Sequence, residues 1–200
     1  MENFINVLYN KNSLLVLSYI SKNVFEENTA TSIARNLDLA VSSVHSILKT
    51  FETTGLVKTR TIGKSVIYEI DKKNPIFKTF RTFDNVSNIL PIIEQIKPLA
   101  RKIILFGSCS KGEDTINSDI DLFVLTDNGN KDKINSIIED ANCERQINPV
   151  LVDTIEFMQL EKDDKIFYNE IIKGIILWEE WNIGKKLQFI EELKKFKFNE

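Results

Sequence analysis

Histidine occurs once in this 200-residue chain and cysteine twice, so the chemistries built on those side chains are largely closed to it. His45 alone rules out most histidine-based metal sites and Ser-His-Asp relays. Cys109 and Cys143 can form neither a disulfide framework nor a four-ligand zinc site, and free thiols point to a reducing, cytoplasmic setting. The longest apolar runs, such as 103–106 and 174–178, fall far short of the roughly 18 residues that open a membrane span, so no contact with a bilayer is expected. Residues 1–10 carry no cationic stretch followed by an apolar core and a small-residue cleavage site, and no secretory signal is expected. A hydrophobic share of 42% beside 28% charged excludes disorder and collagen-like repeats. The length suits one large or two small domains. Catalysis is left to carboxylates, hydroxyls, lysine and arginine.

The net charge of −3 conceals an asymmetry: residues 1–73 carry nine Lys and Arg against seven Asp and Glu, and the remainder 17 against 22. Within 41–67, Lys49, Lys58, Arg60 and Lys64 face only Glu52, a balance that suits phosphate.

The front of the chain reads as three helices and a hairpin. Leu14, Leu15, Leu17 and Ile20 have mixed helical spacing over 13–23, with Ser13 able to cap the start. Thr29 is the expected N-cap of a second helix over 29–37, whose stripe is Ile33, Ala34 and Leu37. Val41, Val44, Ile47, Leu48 and Phe51 form the stripe of a third helix, and Gly55 stands where a left-handed cap residue is needed. The opposite face of that helix is polar: Ser42, Ser43, His45, Ser46, Lys49 and Thr50. Two β-rich runs, 56–61 and 65–70, then flank Ile62-Gly63-Lys64 as a hairpin.

The stretch TATSIARNLDLAVSSVHSILKTFETTGLVKTRTIGKSVIYEI resembles the winged helix-turn-helix transcription regulators, with Ala40 in place of their usual capping Ser or Thr. That resemblance implies duplex DNA as partner, with Ser42, Ser43, Ser46 and Lys49 near bases and Arg60 and Lys64 near phosphate. A protein-interaction or dimerisation role for the same module stays open, as does a homodimer. His45 reads as a surface residue without a metal partner.

Asn74-Pro75 marks a domain junction, and 76–100 reads as helical with an interruption near Pro91. Lys102 to Phe106 is a short buried-strand pattern running into Gly107-Ser108, where glycine lets the backbone turn sharply and approach a ligand. Free N–H groups of a short helix over 108–111, the Ser108 hydroxyl and Lys111 can face an anion before Gly112 ends the turn. Residues 118–125 then alternate as a strand, so Asp119 and Asp121 point to one side. Two like charges there call for a cation, and oxygen ligands suit Mg²⁺ or Mn²⁺. Cys109 has no base partner and reads as a packing residue.

The run LFGSCSKGEDTINSDIDLFVLT resembles the minimal nucleotidyltransferases of the DNA polymerase beta-like superfamily, and INPVLVDTIEF with DDKIFYNEIIKGIILWEE looks like the tail of prokaryotic proteins that join a winged helix to such a domain. The resemblance implies a magnesium-dependent transfer of a nucleotide from an NTP, with ATP the expected one, to a hydroxyl. Asp119 and Asp121 become the catalytic and metal-binding pair, and Gly107, Ser108, Lys111, Ser118 and Asn148 the nucleotide-binding residues. A third carboxylate usually sits on a neighbouring strand, here 146–152, where the matching position holds Asn148. An amide oxygen can ligate a cation but brings no charge and no base. Asp153 should point to the other face of that strand, and Glu144 should precede it.

The expected fold is α/β in the α+β sense: a winged helix over 1–74, a small mixed-sheet nucleotidyltransferase domain over 75–180, and a C-terminal helical tail over 181–200 with a helix from 185 to 196. Besides the enzyme, two alternatives stay open. One is a DNA-binding regulator whose degenerate transferase domain only senses nucleotide. The other is an antitoxin-like partner acting on a separate toxin or protein acceptor.

Overall fold

The computed structural model describes residues 10–24 and 26–180, so the helix expected over 185–196 and the tail 181–200 lie outside the described residues. Two compact units emerge. Among the described residues, one takes those up to 90 with 106–121 and 143–148, and the other takes 91–105, 122–142 and 149–180. No helix among the described residues is long and apolar enough to cross a membrane.

The first unit opens with α1 (Lys11–Lys22), α2 (Ala30–Leu37) and α3 (Val41–Thr53), followed by β1 (Val57–Ile62) and β2 (Ser65–Ile70). α1 starts ahead of Ser13, because the Asn10 side chain accepts the Asn12 N–H at 2.9 Å and takes the cap. Thr29 caps α2 with Ser32 in a reciprocal capping box. α3 has no side-chain cap, since Ala40 offers no oxygen. Its buried stripe is Val44, Leu48 and Phe51, whereas Val41, expected in that stripe, sits in the first turn and is 47% exposed. These three pack with Val16, Leu17 and Ile20 of α1 and Ile33 of α2 in one core. Truncating Leu48 or Phe51 to alanine should cost about 2–5 kcal/mol. β1 and β2 pair antiparallel from Val57↔Ile70 to Ile62↔Ser65, which leaves Gly63 and Lys64 as the turn.

α4 (Pro75–Ile96) runs unbroken, against the expected interruption at Pro91. A proline removes from the helix ladder the N–H that would reach the Ser87 carbonyl, and here Ile92, Ile93 and Ile96 bury the last turns and offset that one bond. Pro75 suits the first helical position, where its missing N–H costs nothing, and Asn74 Oδ1 accepts the Ile76 N–H at 2.9 Å.

A 3₁₀ turn, Lys97–Leu99, leads into β3 (Ala100–Leu105), two residues earlier than the apolar run suggests. Then come α5 (Gly107–Lys111), β4 (Ile120–Thr126), α6 (Lys131–Glu139), β5 (Ile147–Val152), α7 (Thr154–Asp163), α8 (Lys165–Ile172) and β6 (Ile175–Glu179). The sheet order is β5-β4-β3-β6, with β3 antiparallel to both β4 and β6. Ile103, Ile104 and Leu105 of the inner strand β3 are fully or almost fully buried, as an apolar run without alternation requires. In the second unit Phe157 of α7 lies 5.3 Å from the Phe123 ring and 5.5 Å from the Tyr168 ring, centroid to centroid. The fold is α+β, a helix-turn-helix with its hairpin followed by a mixed helix-and-sheet domain.

Candidate functional site

The turn after β3 is shaped by one missing side chain. Gly107 opens α5 at φ +68°, and a Cβ there would run into Asp121 Oδ2, with Asp121 Cγ at 3.2 Å. Phe106 N–H donates to the Asp121 carbonyl at 3.0 Å, which locks the two strand ends in register. Asp121 therefore lies directly against the backbone of the Gly-Ser turn. Ser108 is half-buried in the first turn of α5, and Lys111 is exposed at its other end. Cys109 is fully buried, and its thiol donates to the Asp119 carbonyl at 3.3 Å. Burial pushes that thiol up to about 11, so at neutral pH it stays protonated, a brace between α5 and Asp119 and no nucleophile.

Asp119 precedes β4 by one residue, so its placement does not follow from strand alternation alone. Ile120 N–H donates to the Gln146 carbonyl at 2.9 Å, and Asn148 Nδ2 donates to Asp119 Oδ2 at 3.0 Å. Gln146 Nε2 in turn donates to Asn148 Oδ1 at 3.2 Å. The structure thus brings Gly107 to Asp121 and Asn148 to Asp119. Ser118 serves the loop: its hydroxyl accepts the Thr115 N–H at 2.9 Å. Glu144 is exposed and pairs with Lys22 at 3.2 Å. Asp153 is the N-cap of α7, and the Glu156 and Ile155 N–H groups with the Asn128 amide hold its carboxyl below the ordinary range. Neither supplies a third acid. Among the described residues, no group of three or more His, Cys, Asp and Glu is placed to hold a metal ion. The carboxylates of Asp119 and Asp121 are hard oxygen donors of the kind that suit a divalent cation such as Mg²⁺, while the Asn148 amide turns its nitrogen, not its oxygen, to Asp119.

Beneath these residues lies a buried polar network that the sequence reading does not contain. Arg81 is fully buried on α4, and its Nη2 pairs with Asp114 Oδ2. Arg145 Nη1 pairs with the same oxygen at 2.7 Å, and Asn85 Nδ2 donates to Asp114 Oδ1 at 2.8 Å. Asn85 also donates to the Cys109 carbonyl at 3.0 Å and accepts from Arg145 Nη2 at 2.8 Å. Asp114, which lies in the chain between α5 and β4, is thereby tied through Asn85 to the Cys109 carbonyl of α5. A signal existed: Phe77, Ile89 and Ile93 define a buried stripe of α4 at spacings of four, and Arg81 and Asn85 occupy its remaining places. A cation inside an apolar stripe needs a partner.

On the helix-turn-helix, Ser42, Ser43, His45, Ser46 and Lys49 are all exposed on α3, on the side away from its buried stripe. Lys64 is exposed at the hairpin turn. Arg60 Nε pairs with Glu69 of the facing strand at 3.0 Å. Lys58 sits 2.8 Å from Asp71 and holds that carboxyl below its usual range.

Comparison with known proteins agrees with both halves. Residues 86–177 match the family model of the nucleotidyltransferase domain, and residues 12–61 match that of the IclR helix-turn-helix domain. No curated protein matches the chain. Among solved structures, a homodimeric winged helix-turn-helix DNA-binding domain from Mycobacterium bovis is 20% identical over 42% of this chain and 74% of its own, with a TM-score of 0.36. A toxin–antitoxin crystallised with AMP-PNP is 23% identical over 56% of this chain and 87% of its own, with a TM-score of 0.32. With three helices and the first hairpin strand inside one match, and the Gly-Ser turn, Asp119 and Asp121 inside the other, the chain carries a helix-turn-helix domain followed by a nucleotidyltransferase domain.

Proposed function

We propose that Gly107, Ser108, Asp119, Asp121 and Asn148 bind a nucleoside triphosphate, ATP first among them, together with Mg²⁺ or Mn²⁺, and that the domain transfers the nucleotide slowly to the hydroxyl of an acceptor. The observation that carries this reading is the contact between Gly107 and Asp121: the turn that admits a phosphate closely and the carboxylate that recruits a cation touch through a missing Cβ. N–H groups of α5 and the Ser108 hydroxyl donate to phosphate oxygens. Asp119 and Asp121 supply the negative charge that holds a divalent ion. When bound, such an ion neutralises the triphosphate and lowers the pKa of an attacking hydroxyl. Asn148 orients Asp119 through its N–H but adds no charge and accepts no proton. That amide favours a second reading, a DNA-binding regulator that holds nucleotide without turnover.

The test incubates the purified chain with each α-labelled NTP, Mg²⁺ and a native cell extract. Label transferred to an acceptor by the wild type, and lost in the Asp119→Asn/Asp121→Asn double variant, supports the enzyme. Mg-ATP binding by calorimetry without transfer supports the regulator. Equal Mg-ATP affinity in wild type and double variant overturns both.

A further inference from the structure

Arg81 has three nitrogens and an unequal share of partners. Nη2 is anchored on Asp114, which the two arginines and Asn85 surround. Nη1 reaches α1 only at length, to Ser21 Oγ at 3.4 Å, and stands 3.5 Å from Asp84 Oδ2. Nε is buried without any hydrogen-bond partner. On the α1 side, Ser18 Oγ donates to Asp84 Oδ1 at 3.0 Å, and Ser21 Oγ donates to the Ser18 carbonyl at 2.8 Å. One guanidinium thus spans from the first helix of the helix-turn-helix to the loop carrying Gly107 at one end and Asp121 at the other. It is bound tightly at the loop and loosely at the helix.

From this geometry we infer that Arg81 is a positioning residue that couples duplex DNA binding to nucleotide binding, an inference that rests on the nucleotide reading of the site above. A ligand that shifts the 107–121 segment moves Asp114, and Arg81 follows its charged partner because a buried guanidinium cannot be left unpaired. Its idle Nε and two long contacts let it take another position against Ser21 and Asp84. α1 passes the shift to α3, since Val16, Leu17 and Ile20 pack in one core with Val44 and Leu48. Coupling of this kind is reciprocal: each ligand changes the affinity for the other by the same factor.

The experiment uses the full chain, Mg-ATP, and a fluorescein-labelled pool of random duplexes at low salt. Duplex Kd is measured with and without saturating Mg-ATP, and Mg-ATP Kd with and without saturating duplex. The two ratios should agree and reach about fivefold or more. In Ser18→Ala/Ser21→Ala, which removes the hydroxyl contacts of α1 and leaves only the longer Lys22–Asp84 pair at 3.9 Å, each ligand alone should bind as in the wild type while both ratios fall toward unity. Arg81→Lys, which keeps the charge but not the fork, should do the same if it folds. A merely structural role would weaken single-ligand binding and leave the ratios alone. Wild-type ratios of unity, ratios that survive in the serine double variant, or a wild type that binds no duplex overturn the coupling alone. A wild type that does not bind Mg-ATP overturns the nucleotide reading and the coupling with it.

Discussion

Asp114 and Asp119 belong to the same short loop, and the fold treats them in opposite ways. Asp114 is sunk below the surface and meets Arg81, Arg145 and Asn85. Asp119 is exposed and accepts from a neutral amide, with Asp121 two residues on pressed against a glycine. A carboxylate saturated with cations holds a structure together and has nothing left to offer a ligand. A carboxylate given an amide and open space keeps its charge unneutralised and open to a ligand from outside. The contrast separates the frame of the site from its working part more sharply than conformation does, since both acids lie on one stretch of chain.

Removing each kind of charge should break the comparison most visibly. Asp114→Asn leaves two guanidinium groups short of their counter-charge, and urea unfolding should show a loss of about 3–5 kcal/mol. Asp119→Asn with Asp121→Asn takes charge from exposed or half-buried side chains and leaves no buried cation unpaired, so the same measurement should change by less than about 1 kcal/mol. Equal losses in the two variants would show that the working acids are also structural. A smaller effect comes from Asn148→Asp, which adds the absent charge. Titration with Mn²⁺ should show metal binding tightened by about tenfold, and any transfer rate should rise.

Charge pairing on the hairpin allows a similar test. Glu69→Gln releases Arg60, so duplex binding should tighten and its salt slope steepen by about one unit, while Arg60→Ala should flatten it by the same amount. The least change is expected at the cap of α7. The Asp153 carboxyl lies below its ordinary range in the folded state, so its contribution is present above the usual carboxylate pKa and is lost as pH falls through the lower folded value. The Tm of Asp153→Ala should therefore trail the wild type by most near neutral pH, and the gap should narrow on acidification.

Local chemistry made much of the architecture legible. Thr29 with Ser32 and the pair Gly63-Lys64 act within a few residues of themselves, so α2 and the hairpin could be read from neighbours alone. Pro91 misled because a proline costs a helix one bond, and the burial of Ile92, Ile93 and Ile96 outweighs that loss through contacts distant in sequence. The Gly-Ser turn and the two acids stood out as a motif, and the resemblance to the nucleotidyltransferases led to Asn148. Arg81, Asn85 and Arg145 did not stand out, because an arginine on a helix reads as surface until its partner is known, and Asp114 comes from another element. Helix α1 shows the same limit on a smaller scale: Asn10 and Ser13 are both fit to cap it, and only the bond to the Asn12 N–H decides.

The Asn148 amide is a part with a direction. Its nitrogen end now faces Asp119 and its oxygen end receives the Gln146 N–H. For the oxygen to join Asp119 around a cation, the amide must turn end for end, which sets its N–H against the N–H of Gln146 unless that side chain turns as well. The two amides then reverse together, like adjacent links whose orientation is shared. Were a cation to bind, its occupancy would be linked to the sense in which the Gln146–Asn148 bond runs, and Gln146 would have a say in how readily Asp119 changes partner.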